Sequence, residues 1–250
     1  IVSAYSTSLG MTLATEACRE KSNEITAVPS LLERIDIRGH IITADAMSMQ
    51  KAIVDKIREK GGDFVIELKA NQRSLRYGIE DRIKCQTPVQ EHKEGPSLEH
   101  GRIETRTYRI YDGLQLIEDK EKWGDGMTVV EFEAESVKKS TGARSCESRL
   151  YVSSLGTGTP ASHIGSVIRT HWSIESMHWS LDCNFQQDRT KRKTGKAARN
   201  LDSLQRIVHA IFSIWRIRRK KLSDKAKGTA ELMRGISMSF TRLLRFLHQK

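Results

Sequence analysis

The chain has 250 residues, a net charge of +11 and a pI near 9.6, so it can bury a sizeable core and its basic balance favours a polyanionic partner, nucleic acid first. A content of 38% hydrophobic and 29% charged residues suits a soluble globular protein, and no run of about 18 apolar residues is present to span a membrane. Cys18, Cys85, Cys146 and Cys183 lie far apart with no CxxC, which suggests no zinc knuckle or redox pair and fits a reduced, intracellular chain without a secretory signal.

In chain order, "IVSAYST" and "MTLATEA" are two β-rich runs joined by Ser8, Leu9 and Gly10, the pattern of a hairpin. The chain opens in strand-like sequence without an initiator Met and reads as the continuation of something upstream. "SNEITAVPSLLERI" predicts a helix capped by Ser22 or Asn23, with Ile25, Val28, Leu31, Leu32 and Ile35 at helical spacing. A short buried strand, "GHIITADA", then a helix closed by Gly61 and Gly62, then the strand "DFVIELKAN" make a βαβ unit with parallel strands. Residues 84–147 change character. "CQTPVQEHKEGPSLEHGR" is polar, while "IETRTYRIYDG" and "MTVVEFEAESV" alternate like half-exposed strands, which predicts an antiparallel insertion and not a new domain. "SRLYVSSL" returns to a buried strand. A helix starting near Pro160 then runs through "HWSIESMHWSLD", and a last helix carries Leu201, Leu204, Ile207, Val208, Ile211, Phe212 and Trp215 at helical spacing.

On one continuous helix, His171, Glu175, His178 and Asp182 form a polar stripe at about 100° per residue. Trp172 and Trp179 flank it on one side and Ile174 and Leu181 on the other, with Ser173, Ser176, Ser180 and Arg169 opposite. The carboxylates would then lie on the face that meets the sheet. Burying one costs several kcal/mol unless a cation compensates. Two readings stay open: a salt-bridged structural network, or a metal site. Asp45 follows the apolar run Ile41–Ala44 at a strand's carboxyl end, where ligand sites of α/β sheets cluster; its other reading is a cap on the following helix. Asp45 and Glu175 together would offer hard oxygen ligands suited to Mg²⁺ or Mn²⁺, and two such ions can drive phosphodiester chemistry.

The segments "EKSNEITAVPSLLERIDIRGHIITADAMSMQKAIVDKI", "GGDFVIELKANQRSL", "HGRIETR" and "IRTHWSIESMHWSLD" together closely resemble the H-repeat-associated bacterial insertion-sequence transposases, within the wider DDE group. The likeness runs in order from about Ile1 to about Phe212. It implies an α/β fold with an RNase H-like mixed sheet flanked by helices. It implies a catalytic domain over residues 1–221 and a basic tail over 222–250. Asp45 would be the second catalytic aspartate and Glu175 the catalytic glutamate, both metal ligands. The family's first aspartate lies in a "DGK" motif, which this chain does not contain, so it looks like the C-terminal part of a transposase. Gln50, Lys69, Asn71 and Gln72 form a polar surround, with Lys69, Asn71 and Gln72 as DNA contacts; Lys69 reads equally as an exposed strand-end lysine. Asp182 stands where related transposases often carry a lysine, and Gln187 departs from the family's acidic pair.

The basic runs fit double-stranded DNA, at transposon ends and target. "RTKRKTGKAAR" places six Lys or Arg between Arg189 and Arg199, among them Lys191, Arg192 and Lys193, and "RIRRKK" places five between Arg216 and Lys221. Binding through them would weaken steeply with salt. Their other reading is solvated helix ends. Three functions follow: a metal-dependent nuclease and strand transferase, cytoplasmic and nucleoid-associated, acting as a homodimer on DNA; a DNA-binding remnant of a decayed element without chemistry; or an interaction domain with salt-bridged carboxylates.

Overall fold

The computed structural model describes residues 1–16, 24–99, 101–187, 195–218 and 229–237. The chain forms two compact units, Ile1–Val2 with Glu16–His171, and Ser3–Thr15 with Trp172–Lys250.

The larger unit is an α/β layer structure. Its six-stranded mixed sheet has the order β3 (Ile41–Ala44), β4 (Asp63–Leu68), β8 (Arg144–Ser153), β7 (Thr128–Lys138), β6 (Arg102–Asp112) and β5 (Gln90–Glu99). β3 and β4 are parallel, with Ile41 opposite Asp63, as the βαβ pattern predicts. Every other pairing is antiparallel. The strands of the 90–138 segment therefore extend the same sheet. β5 lies within the stretch read only as polar: it carries Gly95 and Pro96, and as the outermost strand it tolerates a residue that cannot donate to a ladder.

β4 is an apolar run because both of its faces are covered. On one side Phe64, Ile66 and Leu68 pack with Ile53, Val54 and Ile57 of α2 (Lys51–Glu59), Ile79 of α3 (Arg73–Ile83) and Leu32 of α1 (Glu24–Glu33). On the other, Val65, Tyr108, Ile110, Val130 and Tyr151 meet Ala161, Ile164 and Ile168 of α6 (Ala161–His171). Two short helices, α4 (Gly113–Leu116) and α5 (Lys120–Trp123), add Leu116 and Trp123 to the first cluster. The predicted caps Ser22 and Asn23 lie outside the described residues.

The second unit holds the predicted hairpin, β1 (Val2–Ser6) and β2 (Met11–Glu16), apart from the strand ends assigned to the larger unit. Its turn is closed by the Gly10 amide donating to the Ser6 carbonyl at 2.8 Å, with Gly10 at φ +65. The unit also holds α7 (Ser173–Asn184), α8 (Gly195–Arg218) and α9 (Thr229–Ser237). α8 forms where its apolar spacing predicts, but Leu204, Ile207, Val208 and Ile211 are exposed while Asp202, Arg206 and His209 are buried. The polar face is tolerated because its groups are paired. Arg206 Nε reaches both Asp202 oxygens at 3.0 Å, and the Phe185 ring meets the His209 ring edge-on.

Burial, then the nearby Arg206 and Arg216, hold the His209 imidazole below its ordinary pKa of 6.5. The unfolded chain therefore takes up this proton first as pH falls, so the contribution is complete above the unfolded value and lost as pH drops towards the folded one. The urea midpoint should decline between about pH 7.5 and 5.5, and His209→Gln should flatten that decline.

Candidate active site

β3 ends at Ala44, and Asp45 leads into a 3-10 turn at Ala46–Ser48. Asp45 occupies the N-cap position in extended backbone, φ −64 and ψ 159, yet its side chain makes no capping hydrogen bond. The capping reading therefore fails, and the carboxylate is 85% exposed. His171, at the end of α6, faces it with Nε2 3.4 Å from Oδ1, while Nδ1 lies 3.0 Å from the Thr43 hydroxyl. With Nε2 donating to the carboxylate, Nδ1 accepts the Thr43 proton. A strand residue, a helix end and the aspartate thus form one chain of hydrogen bonds within the larger unit.

The end of β4 braces the loop after Asp45. The Asn71 amide donates to the Ala46 carbonyl at 2.6 Å, and the Gln72 amide donates to the Met49 carbonyl at 2.8 Å and to Gln50 Oε1 at 3.4 Å. These carbonyls belong to the turn that sets the direction of Asp45. Asn71 and Gln72, read from sequence as DNA contacts, also brace this turn. Lys69 pairs with the buried Glu67 at 2.9 Å. Loss of the Asn71 donor in Asn71→Leu should speed amide exchange at Ser48 and Met49 by about tenfold, the size of one net hydrogen bond, with little change in Tm.

Glu175 lies in the first turn of α7. The predicted single helix is two: the chain turns at Trp172, with φ −62 and ψ −14, between α6 and α7. Hydroxyls that bond back to carbonyls of the preceding turn flank the junction, Thr170 to Ser166 at 2.6 Å and Ser176 to Trp172 at 3.5 Å. His171 therefore closes α6 while Glu175, His178 and Asp182 belong to α7, so the stripe is divided between two helices. α7 buries Met177, Ser180 and Leu181, whereas Trp172 and Trp179 are exposed. The expected burial of Glu175 is corrected with it: Glu175 and Asp182 are exposed, and Glu175 makes no ion pair among the described residues. Ser180, placed on the solvent side by the wheel, is buried and accepts from Asn184 at 2.9 Å. Gln187 donates to Asp202, which gives its departure from an acid a structural use. Arg189, Lys191, Arg192 and Lys193 lie outside the described residues.

Residues 1–211 match the family described as Transposase DDE domain. YncI of Escherichia coli O157:H7, which carries a provisional transposase name, is 33% identical over 216 residues, 83% of this chain and 54% of its own length. YhhI of Escherichia coli K12, provisionally named an H repeat-associated transposase, is 30% identical over 247 residues, 92% of this chain and 62% of its own. The chain belongs to the H-repeat-associated DDE transposases. A third relative of the same strain, YbfD, is 37% identical over 115 residues, 45% of this chain and 46% of its own, and carries the same kind of name. The transposase chain spans little more than half the length of the first two relatives.

DDE transposases use divalent metal ions. Asp45 suits one oxygen position of such an ion, but hard divalent cations take about six oxygen ligands. Among the described residues no group of three or more His, Cys, Asp or Glu side chains could hold a metal ion. Asp45 and its neighbour His171 would supply only part of such a ligand set. No helix among the described residues is long and apolar enough to cross a membrane.

Proposed function

We propose that this chain serves metal-dependent cleavage and strand transfer of DNA phosphodiesters in transposition, with Asp45 and Glu175 as carboxylates of the catalytic centre. The observation that carries the reading is the Asp45 side chain. It stands at a strand's carboxyl end, does not cap the following turn, and is held by Thr43 and His171 while Asn71 and Gln72 fix the loop behind it. Such bracing pre-organises a reacting group. Glu175 supports it as an exposed acid without a cation partner among the described residues, which argues against a purely salt-bridged role.

In this reading the catalytic domain covers about residues 1–221, the cofactor is Mg²⁺ or Mn²⁺, and the partner is double-stranded DNA bound by a homodimer. When bound, the ions supply activation of water and stabilisation of the leaving oxygen. The chain's own residues hold and orient Asp45. A second reading, DNA binding without chemistry, draws on the small donor set around Asp45. The experiment that separates them is cleavage of an end-containing duplex by the full-length protein carrying this chain, native and with Asp45 or Glu175 replaced. Cleavage that depends on both carboxylates supports the first reading. DNA binding with no cleavage supports the second.

A further inference from the structure

We infer that the far end of the antiparallel sheet is a second DNA-backbone contact, formed by Arg102, Lys138, Lys139 and Arg144; the choice of DNA rests on the transposase reading. The β5–β6 turn and the β7–β8 turn lie side by side there. The Lys139 amide donates to the Gly101 carbonyl at 3.0 Å, stitching the two turns, and the Lys138 amide donates to the Ala143 carbonyl at 2.9 Å. All four cations are exposed. The outer half of β8 is exposed along Arg144–Ser148, so this end of the sheet stands clear of the packed core.

Many cations of the larger unit are matched to acids: Lys56 with Glu33 and Glu59, Arg76 with Glu80, Arg109 with Glu91, Glu131 and Glu133. Glu104, on the same strand as Arg102, is taken by Arg106. Arg102, Lys138, Lys139 and Arg144 make no ion pair with a described carboxylate. Arg102 lies directly across from Lys138 in the β6–β7 ladder and from Glu99 in the β5–β6 ladder.

The surface is also accessible to a phosphate chain. Gly101 and Gly142 sit at φ +74 and +67, and a Cβ at either would meet nothing within 4 Å. Ser140 and Thr141 complete the β7–β8 turn with small hydroxyl side chains. Backbone amides, hydroxyls and cations on a narrow projection suit the spaced phosphates of duplex DNA, and they carry no base-reading pattern. Exposed Leu98 and Ile103 border the tip, so an anionic lipid surface is the alternative that the test must exclude.

The test uses the intact chain and a duplex of arbitrary sequence, with affinity measured across a salt series. A variant carrying Arg102→Gln, Lys138→Gln, Lys139→Gln and Arg144→Gln should lose at least tenfold in affinity at low salt. Its slope of log K against log salt should become shallower by about three and a half, near nine-tenths for each phosphate no longer neutralised. A control carrying Arg34→Gln, Lys51→Gln, Lys84→Gln and Lys120→Gln removes the same charge elsewhere and should keep most of the slope. The tip variant should keep its Tm, since all four side chains are exposed. If it unfolds, Lys139→Gln alone should still reduce the slope by about one. Equal losses in tip and control variants, or unchanged binding, would overturn the inference. So would a tip variant that loses binding to phosphatidylserine vesicles but not to the duplex. None of these readouts requires cleavage, so a failure of the catalytic assignment leaves them legible.

Discussion

Strand cleavage by the full-length transposase should fall on the order of a thousandfold or more with Glu175→Ala, and by a similar factor with Asp45→Asn. Asp45→Asn is the sharper test. The amide keeps the shape of the side chain and can still accept from His171 Nε2, so the bracing survives while the negative charge is lost. Glu175 is exposed and outside the buried clusters, so its truncation should leave Tm nearly unchanged, as for most surface substitutions. Neither carboxylate attracts phosphate, so affinity for DNA and its salt slope should remain within twofold of native. Loss of cleavage with binding retained is therefore the signature of a chemical role. Unchanged cleavage in either variant would remove that residue from the catalytic centre. A native full-length protein that binds but never cleaves would leave the DNA-binding remnant as the function.

The β3–α2–β4 unit was legible because its signals are local. An apolar run ends at Asp45, an amphipathic helix is stopped by two glycines, and a second apolar run follows. β5 was not legible, because an edge strand can be charged and can hold Gly95 and Pro96 without losing its partner. The division at Trp172 escaped because periodicity continues across it: apolar and polar residues recur at helical spacing on both sides. α8 shows the opposite failure. Its spacing was right and its buried face wrong, since an Asp202–Arg206 pair satisfied by geometry can be buried in place of leucines. At the site, Asp45 followed from strand-end logic. Its supports did not, because Asn71 and Gln72 bond to backbone carbonyls of Ala46 and Met49, and a carbonyl leaves no mark in the sequence. His171 was legible only as part of the polar stripe, because its two partners, Thr43 and Asp45, lie more than a hundred residues away.

Gly165→Val should lower the stability of the larger unit by about 3 kcal/mol, a fall in Tm of roughly 8 °C for a chain of this size. Gly165 faces the sheet from the buried side of α6, and a Cβ there would sit 2.9, 2.9 and 3.0 Å from three carbons of the Tyr108 ring. The ring has little room to retreat. Tyr108 is fully buried, its ring lies 5.3 Å from that of Phe132 and 6.3 Å from that of His92, and β6 is held on both sides by its neighbours. Two effects oppose each other in Gly165→Ala: the same clash, and a gain of about 1 kcal/mol from replacing a helical glycine. Alanine should therefore cost less than valine, and the difference measures the steric part. Tyr108→Leu, by removing the ring, should make Gly165→Val markedly less costly, a coupling that independent sites would not show. The Tyr108 hydroxyl adds a second handle. It is buried without a hydrogen-bond partner, and burial first, then the nearby Glu94, pushes its pKa up to about 12. Tyr108→Phe removes that orphaned group while keeping the ring, so it should leave stability equal or raise it by about 1 kcal/mol, and Gly165→Val should remain as damaging in that background. Urea unfolding of the four single variants and the two double variants decides it: a Gly165→Val penalty unchanged by Tyr108→Leu would place the strain elsewhere in α6.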